Sequence, residues 1–155
     1  MKPNVQILSV EQAKALVGKD LGASKWMTIS QERINQFADV TDDHQFIHVD
    51  PERAKDTPFG GTIAHGFLTL SLIVAEVPDD TFYLEGLKFG MNYGFDRIRF
   101  LAPVPSGSRV RAHHKLLAFD EVDENRYKVT TQVTMEIEGQ EQPAFVADFI
   151  TMQIT

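Results

Sequence analysis

Within the twelve residues from Asp39 to Asp50 the sequence places four aspartates and two histidines. A carboxylate and an imidazole brought to one point can orient and deprotonate a water molecule. Asp43 and His48 are the pair to consider, because they stand five residues apart in a segment too irregular for a continuous strand or a long helix. A turn there would let both side chains converge; the plainer alternative is that Asp43 caps a turn and His48 is a core histidine. The second stretch with chemical character is Ile63-Ala64-His65-Gly66-Phe67, which leads into an apolar run. The first N–H groups of a helix have no partners within it. Gly66 removes the side chain at that point, so a ligand carbonyl can come close to the backbone. Such donors form a site for a developing oxyanion. Glycine also permits close packing against a strand, and both uses can hold together. Ser71 either offers its hydroxyl to the same site or bonds a carbonyl one turn back, the commoner fate of a helical serine.

Metal chemistry is the rival use of the acidic cluster, since Asp39, Asp42, Asp43, His44, His48 and Asp50 all carry ligand atoms. His44 and His48 have helical zinc-site spacing, but the glutamate of His-Glu-x-x-His is missing and residue 45 is Gln. The glycine of a calcium-binding loop is missing as well. With no cysteine in the chain, thiolate ligands, thiol nucleophiles and disulfides are excluded. The expectation is a site without metal.

The elements that must hold these residues follow from periodicity. Ser9-Val-Glu-Gln12 has the form of a capping box before a short amphipathic helix over 10–17, with Gly18 as its stop. Lys25–Ile29 reads as a short strand. Ser30 caps a second helix with Ile34, Phe37 and Ala38 on its apolar face, fading near Thr41. Asp50-Pro51 supplies an N-cap and a first-turn proline for another short helix. From Ala64 to Val77 the residues are apolar except His65, Thr69, Ser71 and Glu76, which predicts a helix covered on most sides. After Pro78 the character changes to strand. Phe95–Leu101, Ser108–Phe119, a run alternating from Val129 to Ile137, and Phe145–Ile154 are separated by turn signals at Pro105–Gly107, Asp120–Asn125 and Glu138–Gln140.

Helices followed by strands give an α+β domain. The economical assembly is the hot-dog architecture, one long antiparallel sheet wrapped around the buried helix 64–77. A single sheet leaves one side uncovered, so a homodimer is expected. At 155 residues the chain is read as one domain with a short N-terminal helical extension. A formal net charge of −7 argues against nucleic acid as a partner. The start Met-Lys-Pro-Asn-Val-Gln lacks the apolar core of a signal peptide, and no apolar stretch reaches the ~18 residues of a membrane span. A cytoplasmic location without membrane partners is expected.

The stretch Asp43-His-Gln-Phe-Ile-His48-Val-Asp-Pro-Glu-Arg-Ala54 resembles the hydratase motif of MaoC-like, (R)-specific enoyl-CoA hydratases. In that family an Asp precedes a His by five residues and Asp-Pro-x-x-Ala follows. Phe59-Gly-Gly-Thr-Ile-Ala-His-Gly66-Phe-Leu-Thr-Leu-Ser71-Leu is similar to the start of the family's central helix. Asn92-Tyr-Gly-Phe-Asp-Arg-Ile-Arg-Phe100 followed by Ala-Pro-Val-Pro resembles its next strand and turn. The likeness runs from about Trp26 to Arg111. It implies that Asp43 and His48 are the catalytic pair, that Gly66 donates to the thioester oxygen and that Ser71 lies near the pair. It also implies a hydro-lyase that adds water to trans-2-enoyl-CoA, or reverses the step. That reaction calls for no cofactor beyond the coenzyme A carried by the acyl-CoA substrate.

The Gln45-Phe46-Ile47-His48 version is similar to the branch related to nodulation protein N. Asp42 departs from the family, where glycine is usual, adding a carboxylate beside Asp43 and opposing positive φ. Arg109, Arg111, His113 and Lys115 alternate along one strand face and Arg97 and Arg99 along another; each row is either a solvated sheet face or a dock for coenzyme A phosphates. Two other readings of the chain are a hot-dog acyl-CoA thioesterase and a non-catalytic acyl-CoA-binding module.

Overall fold

The computed structural model describes residues 5–75, 77–78 and 80–155. The leading Met-Lys-Pro-Asn segment and Glu76 therefore lie outside the described residues. The chain begins with β1 (Gln6–Leu8) and α1 (Val10–Lys14), where the capping box forms in full between Ser9 and Gln12. β2 (Asp20–Ala23) and β3 (Met27–Thr28) follow, then α2 (Gln31–Thr41), capped by the Ser30 hydroxyl. Two one-turn helices, α3 (Phe46–Val49) and α4 (Pro51–Ala54), carry the acidic cluster forward. α5 (Gly66–Ser71) continues as a 3-10 turn over Leu72–Val74, and β4 (Phe82–Leu84) opens the strand half. β5 (Phe89–Phe100), β6 (Arg109–Asp123), β7 (Arg126–Ile137) and β8 (Phe145–Ile154) complete the chain.

The long strands form an antiparallel sheet in the order β2-β6-β7-β8-β5, with β3 also paired to β6. This is the α+β hot-dog fold, with α5 lying against the concave face. Alternation decides which side chains face inward. Along β6, Val110, Ala112, His114 and Leu116 are buried while Arg109, His113 and Lys115 are exposed. Burial divides the core into two clusters. One joins α2 and α5 to the strands through Ile34, Leu68, Ile73, Met135 and Phe145. The other joins α1 and β4 to the opposite end of the sheet through Ala13, Leu84, Leu116 and Tyr127.

Several boundaries differ from the sequence reading. β1 pairs in parallel with β4 outside the main sheet, and neither this pair nor β2 has a signal strong enough to predict. Both β1 and β4 are only three residues long. β5 starts at Phe89 rather than Phe95, and β6 runs on to Asp123 past the expected turn at Asp120. The central helix is the larger correction. Its α-helical part spans six residues, and Phe67 and Val74 are 70% and 51% exposed. With Ser71 they form an uncovered stripe at i, i+4, i+7 spacing. The apolar residues all round this segment thus reflect two faces, one packed on the sheet and one left open.

Asp42 resolves differently from its expectation. It occupies the left-handed position that ends α2, at φ 58° and ψ 20°. Aspartate is among the few side chains that tolerate this region, so the backbone turn does form without glycine. The strain of an L-residue there is roughly 1 kcal/mol. Asp42→Gly is therefore expected to raise stability by about 1 kcal/mol, read as a Tm increase of roughly 2–4 °C. A lower Tm for this variant would show that the Asp42 side chain contributes more than its backbone strain costs.

Candidate active site

Three side chains meet beside the first residue of α5. A carboxylate oxygen of Asp43 and a ring nitrogen from each of His48 and His65 all lie within 4.8 Å of one another. Local geometry explains how they converge. The left-handed turn at Asp42 reverses the chain after α2, and the amide of Gln45 is directed at the Asp43 carboxylate at 3.4 Å. α3 then lifts His48 into the interior, where it is 7% exposed. The Asp50 carboxylate accepts a hydrogen bond from the Arg53 N–H at 3.1 Å, and with Pro51 it starts α4 as the sequence predicts. Asp50 is thus a helix cap.

Two hydrogen bonds stitch this turn to the segment before α5. Ile63 N–H donates to the Ile47 carbonyl at 3.0 Å, and the Ile63 carbonyl accepts from His48 Nδ1 at 2.7 Å. A carbonyl can only accept, so the proton sits on Nδ1 and the Nε2 lone pair of neutral His48 is available. Burial is the largest influence on His48 and lowers its pKa from the usual 6.5, outweighing the bond to Ile63. The His65 ring, at 3.9 Å between centroids and 27° between planes, also lowers it, while Asp43 raises it. The result is a buried imidazole that is neutral at neutral pH and has one lone pair to use.

His65 was not singled out by spacing. It is 3% exposed, and its Nε2 donates to the Asp43 backbone carbonyl at 2.9 Å. Nδ1 is buried without a hydrogen-bond partner. Phe37 of α2 closes the other side of the ring at 5.0 Å. His65 therefore fixes both the height of the Asp43 turn and the plane of His48. Gln31 is the second positioning residue the sequence reading missed. Its amide nitrogen donates to the His48 carbonyl at 2.7 Å, and its oxygen accepts from the Thr62 hydroxyl at 2.5 Å. A histidine before the glycine and a glutamine in the first turn of α2 are visible in the sequence; the long-range contacts that give them roles are not.

Gly66 lies at the first position of α5 and, with His48, Thr69, Phe100 and Ala102, lines a pocket of about 280 Å³. Its N–H has no hydrogen-bond partner among the described residues and precedes the first bond of the helix, Leu68 N–H to the His65 carbonyl at 3.1 Å. A Cβ at Gly66 would stand 3.0 Å from the Phe100 ring, so a side chain there would require that ring to shift. Both readings of Gly66 are therefore compatible with the structure. Because α5 is short, the donor is the local N–H rather than a long helix dipole. Ser71 is not brought into the group. Its hydroxyl donates to the Leu68 carbonyl at 2.7 Å, one turn back, and it does not line the pocket.

The remaining charges sort themselves. His44 Nε2 pairs with Asp39 at 2.9 Å on the surface, a hydrogen bond that raises the His44 pKa, so these two residues stand apart from the site. On the outer face of the sheet Arg111 and His113 share Glu136, and Arg109 pairs with Glu138. Arg109 and Arg111 also flank the Trp26 ring, at 5.6 and 4.5 Å. This row is thus largely neutralised by its neighbours. Arg97 pairs with Asp148 at 3.3 Å, whereas Arg99 has no carboxylate partner among the described residues.

The tautomer and acidity of His48 are directly measurable. In ¹⁵N-labelled protein, His48 is expected as the Nδ1–H form at neutral pH, titrating below 6.5. An Nε2–H form, or a pKa above that value, would contradict the arrangement.

The match to a family model described as "MaoC like domain" covers residues 12–137. Among curated relatives, 3-hydroxyacyl-thioester dehydratase Z of Mycobacterium tuberculosis is 46% identical over 146 residues, covering 94% of this chain and 96% of the relative. Nodulation protein N of Rhizobium leguminosarum bv. viciae is 47% identical over 146 residues, covering 94% of this chain and 91% of that protein. Among solved structures, the R-hydratase PhaJ1 of Pseudomonas aeruginosa superposes with a TM-score of 0.65 at 26% identity, over 89% of this chain and 81% of that one. With the hot-dog fold and the Asp43–His48 pair in place, the chain belongs to the MaoC-like domain family.

Proposed function

We propose that the chain is an (R)-specific enoyl-CoA hydratase, adding water to trans-2-enoyl-CoA to give (R)-3-hydroxyacyl-CoA, or catalysing the reverse dehydration. The observation that carries this reading is His48, which lies within 4.8 Å of the Asp43 carboxylate on one side and lines a pocket with the unpartnered Gly66 N–H on the other. A water molecule has two protons, and the carboxylate and the imidazole can hold both. That fixes the direction of its lone pair toward C3 of the substrate. As oxygen bonds to C3, His48 Nε2 takes one proton and the C2–C3 π electrons move toward the thioester carbonyl. Gly66 N–H donates to the oxygen where this enolate charge gathers. The proton then returns to C2 from the same side, completing syn addition with no net consumption of acid or base. The dehydratase and R-hydratase names of the relatives support this reaction class.

The reaction needs no metal or redox group, and coenzyme A is only the carrier of the acyl chain. Arg99, with no carboxylate partner among the described residues, is the better candidate of the basic rows for contact with coenzyme A phosphates. Among the described residues no helix is long and apolar enough to cross a membrane. A reaction on coenzyme A thioesters of fatty acid metabolism fits a cytoplasmic site.

A homodimer is the natural complement to the exposed apolar surfaces. β5 is an edge strand, and Phe89, Met91, Tyr93 and Phe95 along it are 38–67% exposed. An unpaired, apolar edge of this length invites pairing with a second copy. The exposed Phe67 and Val74 stripe of α5 and its 3-10 turn offers a second such surface. Tyr93→Asp is expected to shift the protein to monomer in sedimentation analysis; a wild type that is already monomeric would remove the dimer from the account.

Asp43→Asn and His48→Gln are each expected to lower kcat for hydration by about 10²–10⁴-fold, followed as loss of enoyl-thioester absorbance. Near wild-type rates in both variants would contradict the assignment. Release of free thiol in place of 3-hydroxyacyl-CoA would identify a thioesterase. Binding of enoyl-CoA with no spectral change would identify a binding module. Activity lost on chelation and restored by a divalent ion would return the Asp43, His48 and His65 cluster to metal chemistry.

A further inference from the structure

A second pocket is larger than the one at His48. A cavity of about 410 Å³ lies at the other end of the helix, walled by Ile73, Val74 and Phe149, among others. It separates the two core clusters, since Phe149 and Ile73 belong to one and Leu21 and Val129 to the other. The same helical segment begins at Gly66 in the first pocket and reaches Val74 in the second, an advance of about 12 Å at the rise of a helix. Among the described residues the two pockets share no lining residue, and a chain attached to a thioester at Gly66 and running along this segment would be directed toward the second cavity.

The lining of that cavity is unusual for the concave face of a sheet. Strand alternation turns Val110, Ala112, Val133, Phe145 and Ala147 inward at one end. At the other end polar residues stand among the apolar ones: His114 on β6, Thr131 on β7, and Thr151 and Gln153 on β8 line the cavity beside Val129 and Phe149, with Asn92 of β5 opposite Thr151. His114 is 9% exposed, and its Nε2 is buried with no hydrogen-bond partner. The same holds for Oε1 of Gln153. Burial lowers the His114 pKa to about 4, so the imidazole is neutral at neutral pH and offers both a donor and an acceptor. Among the described residues no lysine or arginine lines the cavity. The lining, apolar in the main but holding these two unpartnered atoms, is thus matched to an alkyl chain that carries an uncharged group able to donate and accept, and poorly matched to a carboxylate.

We propose that this cavity binds the distal part of the acyl chain and selects chains that carry a hydroxyl group there, hydrogen-bonded by His114 and Gln153. The inference rests on the acyl-thioester reading of the site and specifies the substrate class within it.

Binding, rather than turnover, separates the two. Calorimetric titration would compare decanoyl-CoA with decanoyl-CoA bearing a single hydroxyl at its terminal or subterminal carbons, and with the ω-carboxyl analogue. Wild-type protein is expected to bind the best hydroxylated chain roughly fivefold to tenfold tighter than decanoyl-CoA. His114→Leu is expected to abolish or invert that ratio, and Gln153→Met, an independent variant should the first fail to fold, to reduce it. The proposal is overturned if no hydroxylated chain is favoured, if the carboxylate analogue binds best, or if the preference survives in a folded variant. Hydration of crotonyl-CoA by the wild type, a chain too short to reach the cavity, reports on the catalytic reading alone. Its failure leaves the binding ratio to decide the cavity.

Discussion

The arrangement of the site depends on one hydrogen bond, from His48 Nδ1 to the Ile63 carbonyl at 2.7 Å. It joins a short helix in the acidic segment to the strand-like residues that precede α5, two pieces of chain fifteen residues apart. The bond decides which nitrogen of His48 carries the proton and which direction the other nitrogen faces. It also sets the spacing between the imidazole and Gly66, because Ile63 and Gly66 belong to the same short segment. The neighbouring contacts act on the same joint. Gln31 holds the His48 carbonyl and the Thr62 hydroxyl, His65 stacks on His48 while holding the Asp43 backbone, and Ala64 N–H is anchored on the Val104 carbonyl at 2.8 Å. An active site built on turns gains its rigidity from such cross-links rather than from regular structure.

Much of this was legible in the sequence because it is written in local rules. Asp43 and His48 stand out by spacing, Asp50-Pro51 by helix-cap chemistry, and Gly66 by its place before an apolar run. β8 is found from Phe145 to Ile154, as alternation predicts, and α2 ends at Thr41. What the sequence did not reveal depends on contacts between distant residues. His65 reads as a polar interruption until its ring is found on His48, and Gln31 reads as an ordinary first-turn residue until its amide is found between two chain segments. The likeness to the family places Ser71 near the pair, yet one hydrogen bond to Leu68 satisfies its hydroxyl outside the pocket. Asp42 marks the limit of composition-based argument. Glycine is the expected residue for a left-handed turn, but aspartate accepts that conformation at modest cost.

The inner face of the sheet is not uniform. One end packs against the start of α5, and the other bounds a cavity of mixed lining a helix-length away. His114 sits between Ala112 and Leu116 at an inward position that alternation assigns to the core. A buried polar group at such a position costs stability unless it is satisfied, which directs attention to what it contacts when substrate is present.

The central claim is that Asp43, His48 and Gly66 form one site that delivers water to one face of an enoyl thioester. Hydration of trans-crotonyl-CoA in D₂O, followed by NMR of the product, tests it most directly. A (3R)-hydroxybutyryl product with a single deuterium at C2, on the same face as the new hydroxyl, is the expected result. A (3S) product, or deuterium distributed over both faces of C2, would contradict the account.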